Sequence, residues 1–286
     1  MKVAFIGLGA MGFPMAGHLQ QKGYQVCVYN RSGEKATGWV QQYGGLSAST
    51  PAAAAADADV VMLCVGNDQD VRAVVYGEHG VLAGMRRNAI LVDHTTASAD
   101  LARELEAACA LQQIGFLDAP VSGGQAGAQN GLLTIMTGCD PAVFDQALPV
   151  LQSYARSCKL LGPAGSGQLA KMVNQICIAG IVQGLAEALH FGTAAGLDCK
   201  AVLEVISKGA AQSWQMENRG VTMVDGQFNF GFAVDWMRKD LGITLDEARR
   251  NGAQLPLTAL VDQFYAELQA QGHGRLDTSS LIKRFQ

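Results

Sequence analysis

Over roughly the first 160 residues, short β-branched and apolar runs alternate with longer amphipathic or alanine-rich segments. Strands are expected at Val3 to Ile6, Val26 to Tyr29, Val60 to Cys64, Ala89 to Val92, Gly115 to Leu117, Leu133 to Thr137 and Cys158 to Leu160. Strands separated by helix-length segments are the signature of βαβ units on a parallel sheet. The alanine run at 52 to 56 reads as part of a helix before the third of these strands.

After Gly162-Pro163 the pattern changes. A proline-free, helix-compatible stretch runs from Gln168 to about Ala195, and Lys200 to Ser207 and Leu257 to Gln271 read as further helices. The expected architecture is a doubly wound parallel α/β domain over 1–163, followed by an all-α domain over 164–286 that a long interdomain helix begins. Lys171, Asn174, Gln175 and Gln183 interrupt the long apolar run, so no window of roughly 18 apolar residues is expected to survive. It reads as a core or interface helix.

Composition narrows the picture. At 286 residues the chain is long enough to bury a substantial core, and 49% hydrophobic with 16% charged residues fits a globular protein. A net charge of -4 gives no basic footprint, so neither nucleic acid nor an acidic membrane is an expected partner. The opening MKVAFIGLGAMG reads as a strand followed by a helix and not as a secretory leader, and a cytoplasmic location is expected. Seven scattered cysteines without CxxC or Cys/His spacing imply neither disulfides nor a metal.

Candidate chemistry begins with GLGAMG, which sets Gly7, Gly9 and Gly12 in GxGxxG register between a strand and a helix. The first glycine permits the tight turn, the second lets backbone approach a pyrophosphate, and the third lets helix and strand pack closely. Gly7, Leu8, Gly9, Ala10, Met11 and Gly12 thus form the expected cradle of a dinucleotide on a Rossmann-type domain. At the end of the second strand, where NAD-binding versions usually carry Asp or Glu, stand Asn30, Arg31 and Ser32. Without that carboxylate a 2'-phosphate meets no repulsion, and Arg31 offers it charge-assisted hydrogen bonds, so NADP(H) is favoured over NAD(H).

DAPVSGG follows a short strand and is expected at the carboxyl end of the sheet, where such folds bind ligands. The Ser122 hydroxyl and the amides of Gly123 and Gly124 suit a substrate carboxylate. In GSGQLAKMVNQ, residues Gln168, Lys171, Asn174 and Gln175 share one face of an otherwise apolar helix. A lone helical lysine ordinarily reaches solvent; one near a domain junction can instead give a proton to a carbonyl oxygen or take it back.

IGLGAMGFPMAGHL near the start, VDHTTAS at 92 to 98, DAPVSGG at 118 to 124, GSGQLAKMVNQ at 165 to 175 and RKDLGITL at 238 to 245 follow one another in a recognisable order. In these motifs, and over essentially its whole length, the chain resembles the β-hydroxyacid dehydrogenase family. That family includes 3-hydroxyisobutyrate dehydrogenase, tartronate semialdehyde reductase and glyoxylate/succinic semialdehyde reductases. The resemblance implies that Lys171 is the general acid/base and that Ser122, Gly123 and Gly124 hold the substrate carboxylate. It places Thr96 near the nicotinamide, lets Lys239 reach the cofactor from the helical domain, and puts Asp240 near the active site. Phe232 and Trp214 resemble pocket aromatics, with ordinary core packing the alternative for both.

Departures from the family pattern are informative. Many members carry Asn-Asn where this chain has Asn174-Gln175, which leaves open which amide orients substrate. Cys64 stands where proline is common, and with Val65 it is expected to meet the cofactor through backbone. Asn30-Arg31-Ser32 resembles the NADPH-using reductases, and His94 reads as structural. The expectation is an NADPH-dependent reductase of a small carboxylated aldehyde or ketone, of glyoxylate, succinic semialdehyde or tartronate semialdehyde type. The alternatives are NAD(P)-dependent oxidation of 3-hydroxyisobutyrate or a serine-like 3-hydroxy acid and, from a different class, a non-catalytic dinucleotide-binding module. Imine reduction is disfavoured by the presence of Lys171. A homodimer or homotetramer is expected.

Overall fold

The structure is a computed structural model in which residues 1–285 are described. The chain divides into two compact units, Met1–Lys171 and a second that begins at Met172.

The first unit opens with β1 (Lys2–Ile6), α1 (Gly12–Gln21), β2 (Gln25–Tyr29), α2 (Gly33–Tyr43), β3 (Leu46–Ser47), α3 (Pro51–Ala55) and β4 (Val60–Leu63). It continues through α4 (Asp68–Val75), α5 (Val81–Gly84), β5 (Ile90–Asp93), α6 (Ala99–Leu111), β6 (Gly115–Asp118), β7 (Val121–Ser122) and α7 (Gly124–Gln129). The last elements before the long helix are β8 (Leu133–Thr137), α8 (Pro141–Leu151) and β9 (Ala155–Leu160).

Six strands form a parallel sheet in the order β3-β2-β1-β4-β5-β6. The period of two along each strand separates two cores. Val3, Phe5, Val28, Met62 and Val92 pack with Met15, Leu19 and Trp39 of α1 and α2. Ala4, Ile6, Val61, Leu63 and Leu91 pack with Val71, Val75, Leu101 and Leu105 of α4 and α6. Helices on both faces make the sheet doubly wound, as the hydrophobic runs imply.

The strands do not all share that sheet. Leu133–Thr137 and Ala155–Leu160 belong to a second sheet, ordered β7-β8-β9, in which β7 and β8 run antiparallel. β3 and β7 have two residues each, too few to leave a period-two pattern in the sequence. Side-chain caps mark several helix starts, among them Thr50 on α3, Ser98 on α6 and Asp140 on α8, each accepting a first-turn amide.

The long helix α9 (Ser166–Ala194) is followed by α10 (Cys199–Ile206), α11 (Trp214–Val224), α12 (Val234–Asn251), α13 (Pro256–Ala270) and a closing 3-10 run, Thr278–Phe285. The second unit is thus helical, with a core of Ala179, Val182, Leu185, Met237, Leu241 and Tyr265 among others. The division between the units falls inside α9, later than the 163/164 boundary read from composition. Its first turns stay with the first unit because amides donated to the Asp118 carboxylate, and the Gln168 side chain donating to Thr95, tie them to the strand ends. By length and composition α9 is apolar enough to cross a membrane, which the interrupting polar residues were expected to prevent. Its residues Ala179, Val182, Leu185, Ala186 and Leu189 instead lie in the second unit's core.

Candidate active site

The sheet's strand order reverses between β1 and β4, so the crevice that binds ligands in open α/β folds opens at their carboxyl ends. Gly7 and Cys64 lie there. Gly7 has φ of +99°, and a Cβ on it would overlap the Cys64 carbonyl oxygen. A Cβ on Gly12 would overlap the carbonyl of Gly7. Gly9 differs, for a Cβ there would meet nothing within 4 Å. Neither packing nor backbone conformation requires glycine at that position, and the space beside it is open. No side-chain cap bond closes the start of α1, and a helix start of this kind favours an anion. Leu8 is buried, while Ala10 is exposed and Met11 half-buried at the rim.

Asn30 closes the loop from the next strand by accepting the Leu8 amide at 2.9 Å and donating to the Ser32 carbonyl at 3.0 Å. Arg31 beside it is 91% exposed and 3.7 Å from Asp70, a weak surface pair. Ser32 stands at the N-cap of α2 without a side-chain cap bond. The loop thus fits a dinucleotide, with Gly9 and the α1 terminus at the pyrophosphate and Arg31 and Ser32 exposed at the ribose end.

Beyond the loop, the ends of β4, β5 and β6 are laced together by buried polar groups. The Thr95 hydroxyl accepts the Val65 amide at 3.1 Å, and Asp93 accepts the Thr95 amide at 2.9 Å. Burial pushes the Asp93 carboxyl up to about 7. His94 donates through Nδ1 to the Ala119 carbonyl at 2.6 Å, which leaves Nε2 to accept from the Tyr154 hydroxyl at 2.8 Å. Burial holds its pKa down at about 4, so the ring is neutral and serves as a brace. Thr96 follows, half-buried.

Ser122 ends β7, and Gly123 and Gly124 turn into α7 with φ of +129° and +61°. Those values favour glycine, so this turn leaves backbone amides without side chains over them. Lys171 is 8% exposed on the second turn of α9. It is therefore not the solvated lysine that an isolated helical cation would ordinarily be.

In the second unit the named residues form a chain of their own. The Gln175 amide donates to Asp240 at 2.6 Å, and its oxygen accepts from Asn174 at 2.8 Å. Lys239 lies 3.0 Å from the other Asp240 oxygen. Gln175 is buried with both ends of its amide engaged, whereas Asn174 is half-buried. Phe232 packs partly against the helical core and is held through its amide by Asp277 at 2.9 Å. Trp214 is 47% exposed, with the Arg219 guanidinium 5.1 Å over its ring.

A doubly wound sheet built around such a glycine loop defines the class, a dinucleotide-binding α/β protein. The comparisons narrow it. Residues 2–162 match the NAD binding domain of 6-phosphogluconate dehydrogenase, and residues 165–285 match the NAD-binding domain of NADP-dependent 3-hydroxyisobutyrate dehydrogenase. The chain belongs to the β-hydroxyacid dehydrogenase family, whose activity is NAD(P)-dependent oxidoreduction of hydroxy acids. It is 67% identical over 285 residues to an uncharacterized oxidoreductase of Shewanella frigidimarina, covering 100% of this chain and 98% of that one. It is similar to the Mycobacterium tuberculosis 3-hydroxyisobutyrate dehydrogenase solved with L-serine, at 31% identity and a TM-score of 0.90 over 100% of this chain and 99% of that one. It is also similar to Psf3 in complex with NADP+ and 2-OPP, at 26% identity and a TM-score of 0.91, covering 99% of this chain and 100% of that one.

Several groups that shape the site carry no role in the motif reading. Asp118 was legible only as the first letter of DAPVSGG, and Tyr154 and Asp277 carried no local signal. Gln175 and Asp240 were each singled out, yet nothing in the sequence joins residues 65 positions apart.

Proposed function

We propose that this chain is an NADPH-dependent reductase of a small carboxylated aldehyde or ketone, of the glyoxylate, succinic semialdehyde or tartronate semialdehyde type, with Lys171 as its general acid/base. When bound, the nicotinamide supplies hydride to the substrate carbonyl carbon. Lys171 gives a proton to the carbonyl oxygen, and in the reverse direction takes it from the hydroxyl. Ser122 and the amides of Gly123 and Gly124 hold the substrate carboxylate, with Asn174 as the orienting amide and Gln175 as its support. Thr96, Lys239, Cys64 and Val65 contact the cofactor. The observation that carries this reading is the burial of Lys171, 8% exposed on the second turn of α9, where a helical lysine ordinarily reaches solvent.

The choice of NADP(H) rests on Arg31, exposed beside Ser32 where a ribose carboxylate partner would otherwise stand. The NADP+ bound to Psf3 supports the same choice. Oxidation of a serine-like 3-hydroxy acid is the second reading, supported by the L-serine found with the mycobacterial enzyme. An NADPH-depletion screen over a dozen short oxo acids, run beside NADP+ reduction with 3-hydroxyisobutyrate and L-serine, separates the two. Turnover only in the oxidative direction would overturn the first. Arg31→Ala should weaken NADPH about 10-fold, the scale of one charge-assisted contact, and leave NADH unchanged. Equal binding of both cofactors before and after that change would refute the role of Arg31.

A further inference from the structure

We propose that Asp118 is the positioning residue for Lys171: its buried carboxylate, helped by the Gln168 amide, fixes the first turn of α9 and so the direction of the lysine one turn on. This rests on Lys171 being the proton donor. Asp118 is the last residue of β6 and is fully buried. One carboxylate oxygen accepts the Gly165 amide at 2.7 Å and the other accepts the Gln168 amide at 2.8 Å. Gly165 immediately precedes α9 and Gln168 lies in its first turn, where backbone amides lack intrahelical acceptors and the dipole favours a negative charge.

The anchor is itself held. The Asp118 amide donates to the Gly138 carbonyl at 3.1 Å, and the Gly138 amide donates back at 2.9 Å. Gly138 and Gly167 crowd the carboxylate so closely that a Cβ on either would press on its oxygens. Gln168 ties the same turn to the loop after β5, donating to the Thr95 carbonyl at 2.7 Å and accepting the Ala97 amide at 3.0 Å. Lys171 stands three residues further on, on the same face of the helix, so a shift of this turn is carried directly to the ammonium. Four backbone partners aim one short turn, and an ordinary helix start needs only one cap. The Asp118 carboxyl also sits high, at about 6, because burial outweighs its amide donors.

Asp118→Asn tests this, since the amide keeps the shape but can accept at only one of the two sites. Gln168→Leu is the milder companion should the first variant fold poorly. The primary readout is trace acetylation of the folded protein followed by mass spectrometry, which needs no substrate. Lys171 should be modified several-fold faster in both variants, with Lys159 and Lys200 unchanged. Unchanged labelling of Lys171, or a parallel rise at all lysines, overturns the proposal. NADPH oxidation with glyoxylate and with succinic semialdehyde gives a second arm. There kcat should fall about 10-fold to 100-fold in Asp118→Asn, as for a small misplacement of a reacting group, with NADPH affinity kept. That loss should vanish in the Lys171→Met background. A loss of equal size in both backgrounds overturns the positioning role, whereas full activity of Lys171→Met alone overturns the reading of the lysine.

Discussion

The two units hold their site residues by different means. In the first, polar side chains bond mainly to backbone: Asn30 to Leu8, His94 to Ala119, Asp118 to Gly165 and Gln168, and Gln168 to Thr95 and Ala97, with His94 to Tyr154 the side-chain exception. In the second, they bond mainly to one another: Gln175 to Asp240 and Asn174, Lys239 to Asp240, and Arg219 to Asp277, which also accepts the Phe232 amide. The reason lies in the elements. Strand ends and the loops after them leave amides and carbonyls to be satisfied, whereas a helix interior spends its backbone groups on itself. A site on strand ends is therefore built into the chain path, and a site on helix faces depends on which side chains meet.

The largest expected effect strikes the backbone-built unit. Gly12→Ala sets a methyl group against the Gly7 carbonyl, so NADPH binding should fall by 100-fold or more and stability by about 1–3 kcal/mol. Titration and thermal melting read both; unaltered cofactor affinity would mean the loop is not the cradle. His94 sharpens the same side through pH. Its pKa is about 4 when folded against an ordinary 6.5, so its contribution is whole above pH 6.5 and is lost as pH falls through 4. That loss amounts to at most about 3 kcal/mol. Asp93, raised to about 7, acts oppositely, its contribution being whole below pH 4 and lost as pH rises through 7. Between pH 7 and 4.5 the two slopes oppose, so the melting temperature of His94→Gln should rise relative to that of the native chain as pH falls, and a constant difference would show that the folded ring titrates like a solvated one.

A smaller effect is expected in the side-chain-built unit. Gln175→Leu leaves the buried Asp240 without its amide donor and should cost about 1–3 kcal/mol. The cost should shrink when Asp240→Asn is added, because the two share one contact. Additive losses would show that the chain from Asn174 to Lys239 is not a unit.

The same contrast explains what the sequence made legible. The glycine loop, DAPVSGG and the start of α9 are local, and each states its reason within a few residues: a turn, a close approach, a polar face. The parallel strands announced themselves through short apolar runs, while β3 and β7 were too brief to do so. The Gln175–Asp240 bond joins residues 65 apart and leaves no local trace. Asp118 lay in plain view within a motif, but its task depends on where the chain returns 47 residues later, at Gly165.

The central claim is that Lys171 moves the proton. With the best oxo acid from the screen, Lys171→Met should lower kcat by about 10²–10⁴-fold while NADPH binds as before. Turnover at the native rate with cofactor affinity unchanged would contradict it.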